Sequence, residues 1–92
     1  VFFEYDPDKN IRNLELRGLS FERAVDFEFA SAWILVDDRR DYGEVRFRAL
    51  GFLGGRLHAL VFTETLKGIR VISLRKANKR EEAQYAEAKN RS

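Results

Sequence analysis

Ninety-two residues, 45 % of them apolar and eight of them Phe, are enough for one small domain with a core of its own. The absence of Cys excludes a disulfide framework, thiolate chemistry and a zinc–thiolate site, and no apolar run approaches the roughly 20 residues of a membrane span. The net charge of +2 conceals a division: residues 1–45 carry 6 Lys and Arg against 11 Asp and Glu, whereas residues 46–92 carry 11 against 4.

The chain opens without Met, so an initiator residue is expected to have been lost or left out. "VFFEY" is too short for a signal-peptide core and nothing cationic precedes it, so a cytoplasmic protein is expected. "FFEY" (2–5) reads as a first strand. Asp6 then caps a helix with Pro7 at its first position, where a missing N–H is harmless. Ile11 and Leu14 form its apolar stripe and Gly18 closes it. Ser20 caps a second helix whose apolar face is Phe21, Ala24, Val25 and Phe29. "SAWILV" (31–36) can form a strand, and "DDRRDYGE" (37–44) is a polar loop. Three strand-like runs follow at 45–53, 56–65 and 69–76, joined by turns at Gly54–Gly55 and Lys67–Gly68. Asn78, with Glu81 three residues on, resembles a capping box that opens a last helix, with Ala83, Tyr85 and Ala86 as its apolar residues. The order predicts a single α+β domain over 1–92: an antiparallel sheet with an N-terminal helical pair and a C-terminal helix, the helices on one side.

Tight turns at those two places would set Phe52 opposite Leu57, Arg48 opposite Val61, Arg46 opposite Thr63, Thr63 opposite Ile72 and Thr65 opposite Arg70. One face then carries Arg46, Arg48, Thr63, Thr65, Arg70 and Lys76 alongside Leu50, Val61, Ile72 and Leu74. The other carries Val45, Phe47, Ala49, Leu60, Phe62 and Val71, with His58, Ser73 and Arg75. A bulge would exchange the faces of the third strand. Arg46 with Arg70 can be a phosphate clamp, since the guanidinium fork matches phosphate oxygens, or simply a solvated strand face. Arg75, Lys76, Lys79 and Arg80 crowd the junction between the last strand and the last helix. Cations at a helix N-terminus oppose its dipole, which favours a bound polyanion there. His58, the sole histidine, is either structural or a base near neutral pH. Arg39 and Arg40 interrupt "DDRRD" as a metal site, and no Gly-rich phosphate loop or Ser-His-Asp spacing is present.

"YDPDKNIRNLELRGLSFERA", "DDRRDYGEVRFRALG", "GRLHALVFT" and "IRVISLRKANKREEAQY" together resemble the BrnT toxin family over nearly the whole chain. Asp6, Lys9, Asn13, Gly18, Ser20 and Phe21 match its first block, Tyr42, Gly43, Glu44 and Arg46 its second, and Arg70, Ser73, Arg75 and Ala77 its third. The chain departs from the pattern at Arg17, where His is common, and at Leu74, where a small residue is usual. The resemblance implies a RelE-like fold and a ribonuclease toxin. It also implies a cognate antitoxin with a ribbon-helix-helix DNA-binding domain, so that DNA is met only through that partner.

Cutting RNA without a metal requires removal of the 2′-OH proton, stabilisation of added charge on the phosphate and protonation of the leaving oxygen. Arg46, Arg70 and Arg75 are assigned to charge stabilisation. Glu44, His58, Glu81 and Tyr85 are the proton-transfer candidates, and Arg48, Lys76, Lys79 and Arg80 are expected to hold RNA. No cofactor or metal is expected. The alternative is a non-catalytic basic module that binds nucleic acid or protein, although no aromatic stacking signature of an RNA-recognition fold is present.

Overall fold

The computed structural model describes residues 2–91. Phe2–Tyr5 forms β1 and Pro7–Arg17 forms α1, followed by 3₁₀ turns at Phe21–Asp26 and Phe29–Ser31. Then come β2 (Trp33–Val36), β3 (Phe47–Leu53), β4 (Arg56–Glu64), β5 (Gly68–Lys76) and α2 (Lys79–Asn90). The strands make one sheet in the order β1-β5-β4-β3-β2. The α+β class is as expected, but the sheet is mixed. β2 to β5 run antiparallel, whereas β1 pairs parallel with β5. No hairpin dictates the direction of β1, because its connection to β2 crosses the whole sheet through α1 and the 3₁₀ turns.

The helix ends are those the sequence predicts. The Asp6 carboxylate accepts the Asp8 N–H at 2.9 Å, Pro7 opens α1, and the Gly18 N–H donates to Leu14 C=O at 2.9 Å. In α2 the Glu81 N–H donates to Asn78 Oδ1 at 2.8 Å while the Asn78 N–H donates to Glu81 Oε1 at 3.0 Å, a reciprocal capping box. The second expected helix is only a 3₁₀ turn. Phe21, Ala24 and Phe27 are all buried, a spacing of three that matches three residues per turn, whereas Val25 is exposed. Ile11 and Leu14 also remain about half exposed, so α1 is not buried as deeply as its pattern suggests, and α2, with Ala83 and Ala86 exposed, buries as little as expected.

The main core lies between one sheet face and the α1 side, where Phe21, Ala24, Leu53, Leu60, Val71 and Leu74 are enclosed. Asn13 fastens α1 there, its amide donating to Leu74 C=O at 2.8 Å and to Leu19 C=O at 3.0 Å. The helices are not all on one side. Tyr85 sets its ring edge-on against Phe52, and Phe52 alternates with Gly51, whose core side meets Phe27. α2 therefore lies on the opposite face, the face on which Leu50 and Ala59 are buried.

The β3–β4 register is the expected one, turning at Gly54–Gly55 with φ of 60° and 79°. The β4–β5 register is not. Its turn is Leu66–Lys67, with the Thr65 N–H donating to Gly68 C=O at 2.8 Å and the Gly68 N–H to Thr65 Oγ1 at 3.1 Å. Thr63 consequently faces Arg70, and an irregularity follows: Phe62 pairs with Val71 but Val61 pairs with Ser73, leaving Ile72 as an extra residue. This bulge exchanges the faces beyond it. Ser73 and Arg75 join the face of Arg46, Arg48 and Arg70, while Leu74 turns into the core and Lys76 lies beside His58 on the other side.

Candidate active site

On the face away from the main core, successive positions across β3, β4 and β5 read Arg48–Val61–Ser73 and Leu50–Ala59–Arg75, with Thr63–Arg70 at one end. Arg46 enters just before β3. Four arginines thus surround a floor of Val61 and Ser73, and two carboxylates hold three of them.

Glu44 bridges the first pair: Arg46 Nε donates to its Oε2 at 3.0 Å and Arg70 Nη2 to its Oε1 at 2.7 Å. Those two hydrogen bonds hold the Glu44 carboxyl below its ordinary pKa, Arg70 being the larger influence. The Arg46 guanidinium also lies 4.3 Å from the centroid of the Tyr42 ring. Tyr42 donates its hydroxyl to Asp37 Oδ2 at 3.3 Å, and Arg39 grips the same carboxylate through Nε at 2.7 Å and Nη2 at 2.8 Å. Asp37 is buried, and hydrogen bonding from Arg39 lowers its pKa to about 2.

Glu81 holds Arg75 bidentately, Nη1 to Oε1 at 2.7 Å and Nη2 to Oε2 at 2.8 Å. Arg75 lowers the pKa of Glu81 against the opposing effect of burial, and the Arg48 charge adds to the lowering. Arg75 in turn has its pKa raised chiefly by Glu81, while the charge of Arg39 works the other way. The two ion-pair clusters are therefore electrostatic neighbours. Among the described residues Arg48 makes no ion pair and no hydrogen bond through its guanidinium, although it is half-buried.

The structure brings together Arg46, Arg48, Arg70, Arg75, Glu44 and Glu81 of the residues selected from sequence. It separates the others. His58 is buried on the core face, with its Nδ1 2.7 Å from Arg56 C=O. Tyr85 donates its hydroxyl to Ser31 C=O at 2.8 Å and packs on Phe52, beyond Arg75. Lys76 is exposed on the far face, and Lys79 and Arg80 are exposed in the first turn of α2. That helix start is not an open anion site, because the Glu81 carboxylate already occupies it. Thr63 directs its hydroxyl to Val45 C=O at 2.7 Å.

Asp37, Arg39 and Tyr42 are parts of the cluster to which the sequence assigned no role. The signal was present in "DDRRDYGE", where Asp37 and Arg39 stand two apart, but only the fold shows Tyr42 beneath Arg46. Asp6, Asn13, Gly18, Ser20 and Phe21 serve the scaffold instead, as caps, ties and core. Arg17 is exposed on α1, which packs on the opposite face of the sheet.

Comparison with curated proteins gives no match. A family model described as the ribonuclease toxin BrnT of type II toxin–antitoxin systems matches residues 5–81. That span runs from the end of β1 into the first turn of α2 and includes every arginine and carboxylate of the cluster just described. The arginine-lined face thus lies inside the matched region, and the chain belongs to the BrnT family of ribonuclease toxins, with RNA as its substrate and an antitoxin as its partner.

Proposed function

We propose that this toxin cleaves RNA without a metal ion, by electrostatic stabilisation of the scissile phosphate on the arginine face. The observation that carries this reading is the bulge at Ile72, which sets Arg75 beside Arg46, Arg48 and Arg70. The three acids of the site, Asp37, Glu44 and Glu81, are each engaged by arginine, so the acids orient cations. Arg48, unpaired, receives the phosphate first, and Arg46, Arg70 and Arg75 share the charge that develops on it. A prepositioned donor of this kind contributes about 10²–10³-fold. Glu44, besides orienting Arg46 and Arg70, is the proton acceptor in this scheme. Its side chain is 29 % exposed against 6 % for Glu81, and its lowered pKa keeps it ionised near neutral pH. Water protonates the leaving 5′-oxygen. Neutralisation in the cytoplasm by a ribbon-helix-helix antitoxin completes the reading, supported by the family resemblance.

The test is cleavage of a synthetic RNA by purified toxin with and without a chelator. Equal cleavage in both is expected. Loss with the chelator and recovery on adding a divalent cation would overturn the metal-free mechanism. RNA binding without any cutting, from confirmed folded protein, would favour the non-catalytic module instead.

A further inference from the structure

β2 is an edge strand of the sheet. The Asp37 N–H donates to Arg46 C=O at 2.7 Å, in line with the β2–β3 register. Hydrogen-bonded pairs alternate along an antiparallel ladder, so Leu35 and Trp33 turn their backbone groups towards β3. Ile34 and Val36 then turn theirs outward, where no strand among the described residues meets them.

Exposed edges are normally blunted by charge, Pro or a bulge. Trp33–Val36 has none of these. Ile34 is 42 % exposed, Val36 59 % and the nearby Val45 61 %. On the Ile34 side an open hollow of about 230 Å³ is lined by Ile34, Phe47, Phe62 and Glu64. On the other side Leu35 stands opposite Arg48, the arginine without an ion pair. The four arginines there exceed Glu44 and Glu81 by two charges, and Arg48, on β3, lies one strand in from the edge.

We propose that the antitoxin adds an extended segment to β2 as a sixth strand. Its apolar side chains would alternate with Asp or Glu, the former entering the hollow and the latter reaching Arg48. A strand added there lies about 10 Å from the Arg48 backbone, a distance that Arg and Glu side chains close between them. Main-chain bonds to Ile34 and Val36 supply affinity, and the alternation supplies specificity. Neutralisation follows directly, because the acidic side chains occupy the cation that would otherwise meet phosphate. The strand addition rests on this chain having an antitoxin and not on how the toxin cuts RNA; only the account of neutralisation rests on Arg48 meeting phosphate.

The experiment compares amide hydrogen exchange at Ile34 and Val36 in the full-length toxin, alone and bound to the purified antitoxin encoded with it. Exchange at both amides should slow at least tenfold in the complex. Val36→Pro, which removes one outward N–H, and Ile34→Lys, a charge on the edge, should each weaken antitoxin binding by about tenfold or more while RNA cleavage is retained. Should Val36→Pro not fold, Ile34→Lys and the exchange rates decide alone. Unchanged exchange at both amides, or wild-type affinity in the folded variants, overturns the proposal. So does a toxin that dimerises by itself with the same two amides protected, since the edge would then belong to a second copy.

Discussion

Arg48 differs from the other arginines of its face in making no ion pair among the described residues. Arg46 and Arg70 share Glu44, and Arg75 has Glu81. Arg48→Ala should therefore cost less stability than removal of a paired arginine, about 1 kcal/mol or less, because no ion pair is lost. It should nevertheless reduce cleavage by about 10²–10³-fold and flatten the log–log salt dependence of RNA binding by roughly 0.7–0.9. Unchanged cleavage and salt slope would remove Arg48 from the site. Arg75→Ala behaves differently, since it leaves the buried Glu81 carboxylate without its ion-pair partner and with only the Asn78 N–H to hold it. A loss of about 3 kcal/mol is expected, and removing Glu81 as well should restore part of it, less what the capping bond from the Asn78 N–H contributed. Denaturant titration of the two single variants and the double one checks this, and strict additivity would refute the coupling.

At the scale of elements, the turn and bulge of β5 decide which side chains share a face. Two glycine-containing turns were legible in the sequence, yet only Gly54–Gly55 closed its hairpin where the residues suggested. At the other, Thr65 takes the Gly68 N–H on its hydroxyl, which moves the loop to Leu66–Lys67. Gly68 has a second duty, for an added Cβ there would collide with Phe2 C=O on the adjoining β1. Gly68→Ala should push β1 away from β5 and cost about 1–3 kcal/mol. A melting temperature equal to wild type would show that β1 adds nothing to stability. The capping residues of α1 and α2 were readable because their hydrogen bonds span only two to four residues. The bulge at Ile72 was not, because it is set by how β5 meets β4 and by the core's demand for Leu74.

At the scale of the whole molecule, three carboxylates among the described residues titrate below their ordinary range: Asp37 at about 2, and Glu44 and Glu81 lowered by their arginines. Each binds its proton less readily folded than unfolded. Their contribution to stability is therefore complete above about pH 5 and is lost as pH falls through about 4, the unfolded carboxylate range, towards 2. The melting temperature should be level from neutral pH to about 5 and then fall steeply. Asp37→Asn should be less stable at neutral pH and show a shallower acid slope. An unchanged slope would mean that the Arg39 and Tyr42 contacts to Asp37 do not survive in solution.

Local chemistry told much of the story in advance: the α+β class, both helix caps, the first hairpin, the arginine-rich second half and the family to which the chain belongs. These depend on contacts between near neighbours or on residue type, and both are written in the order of the chain. The arrangement of the site is a different matter. Arg75 was placed on the wrong face from sequence, and His58 and Tyr85 entered the list because their chemistry suits proton transfer. The fold buries one on the core side and binds the other to Ser31. Which cations end as neighbours was decided by one extra residue in β5, because side chains alternate with period two and a single-residue shift turns every one beyond it to the other face.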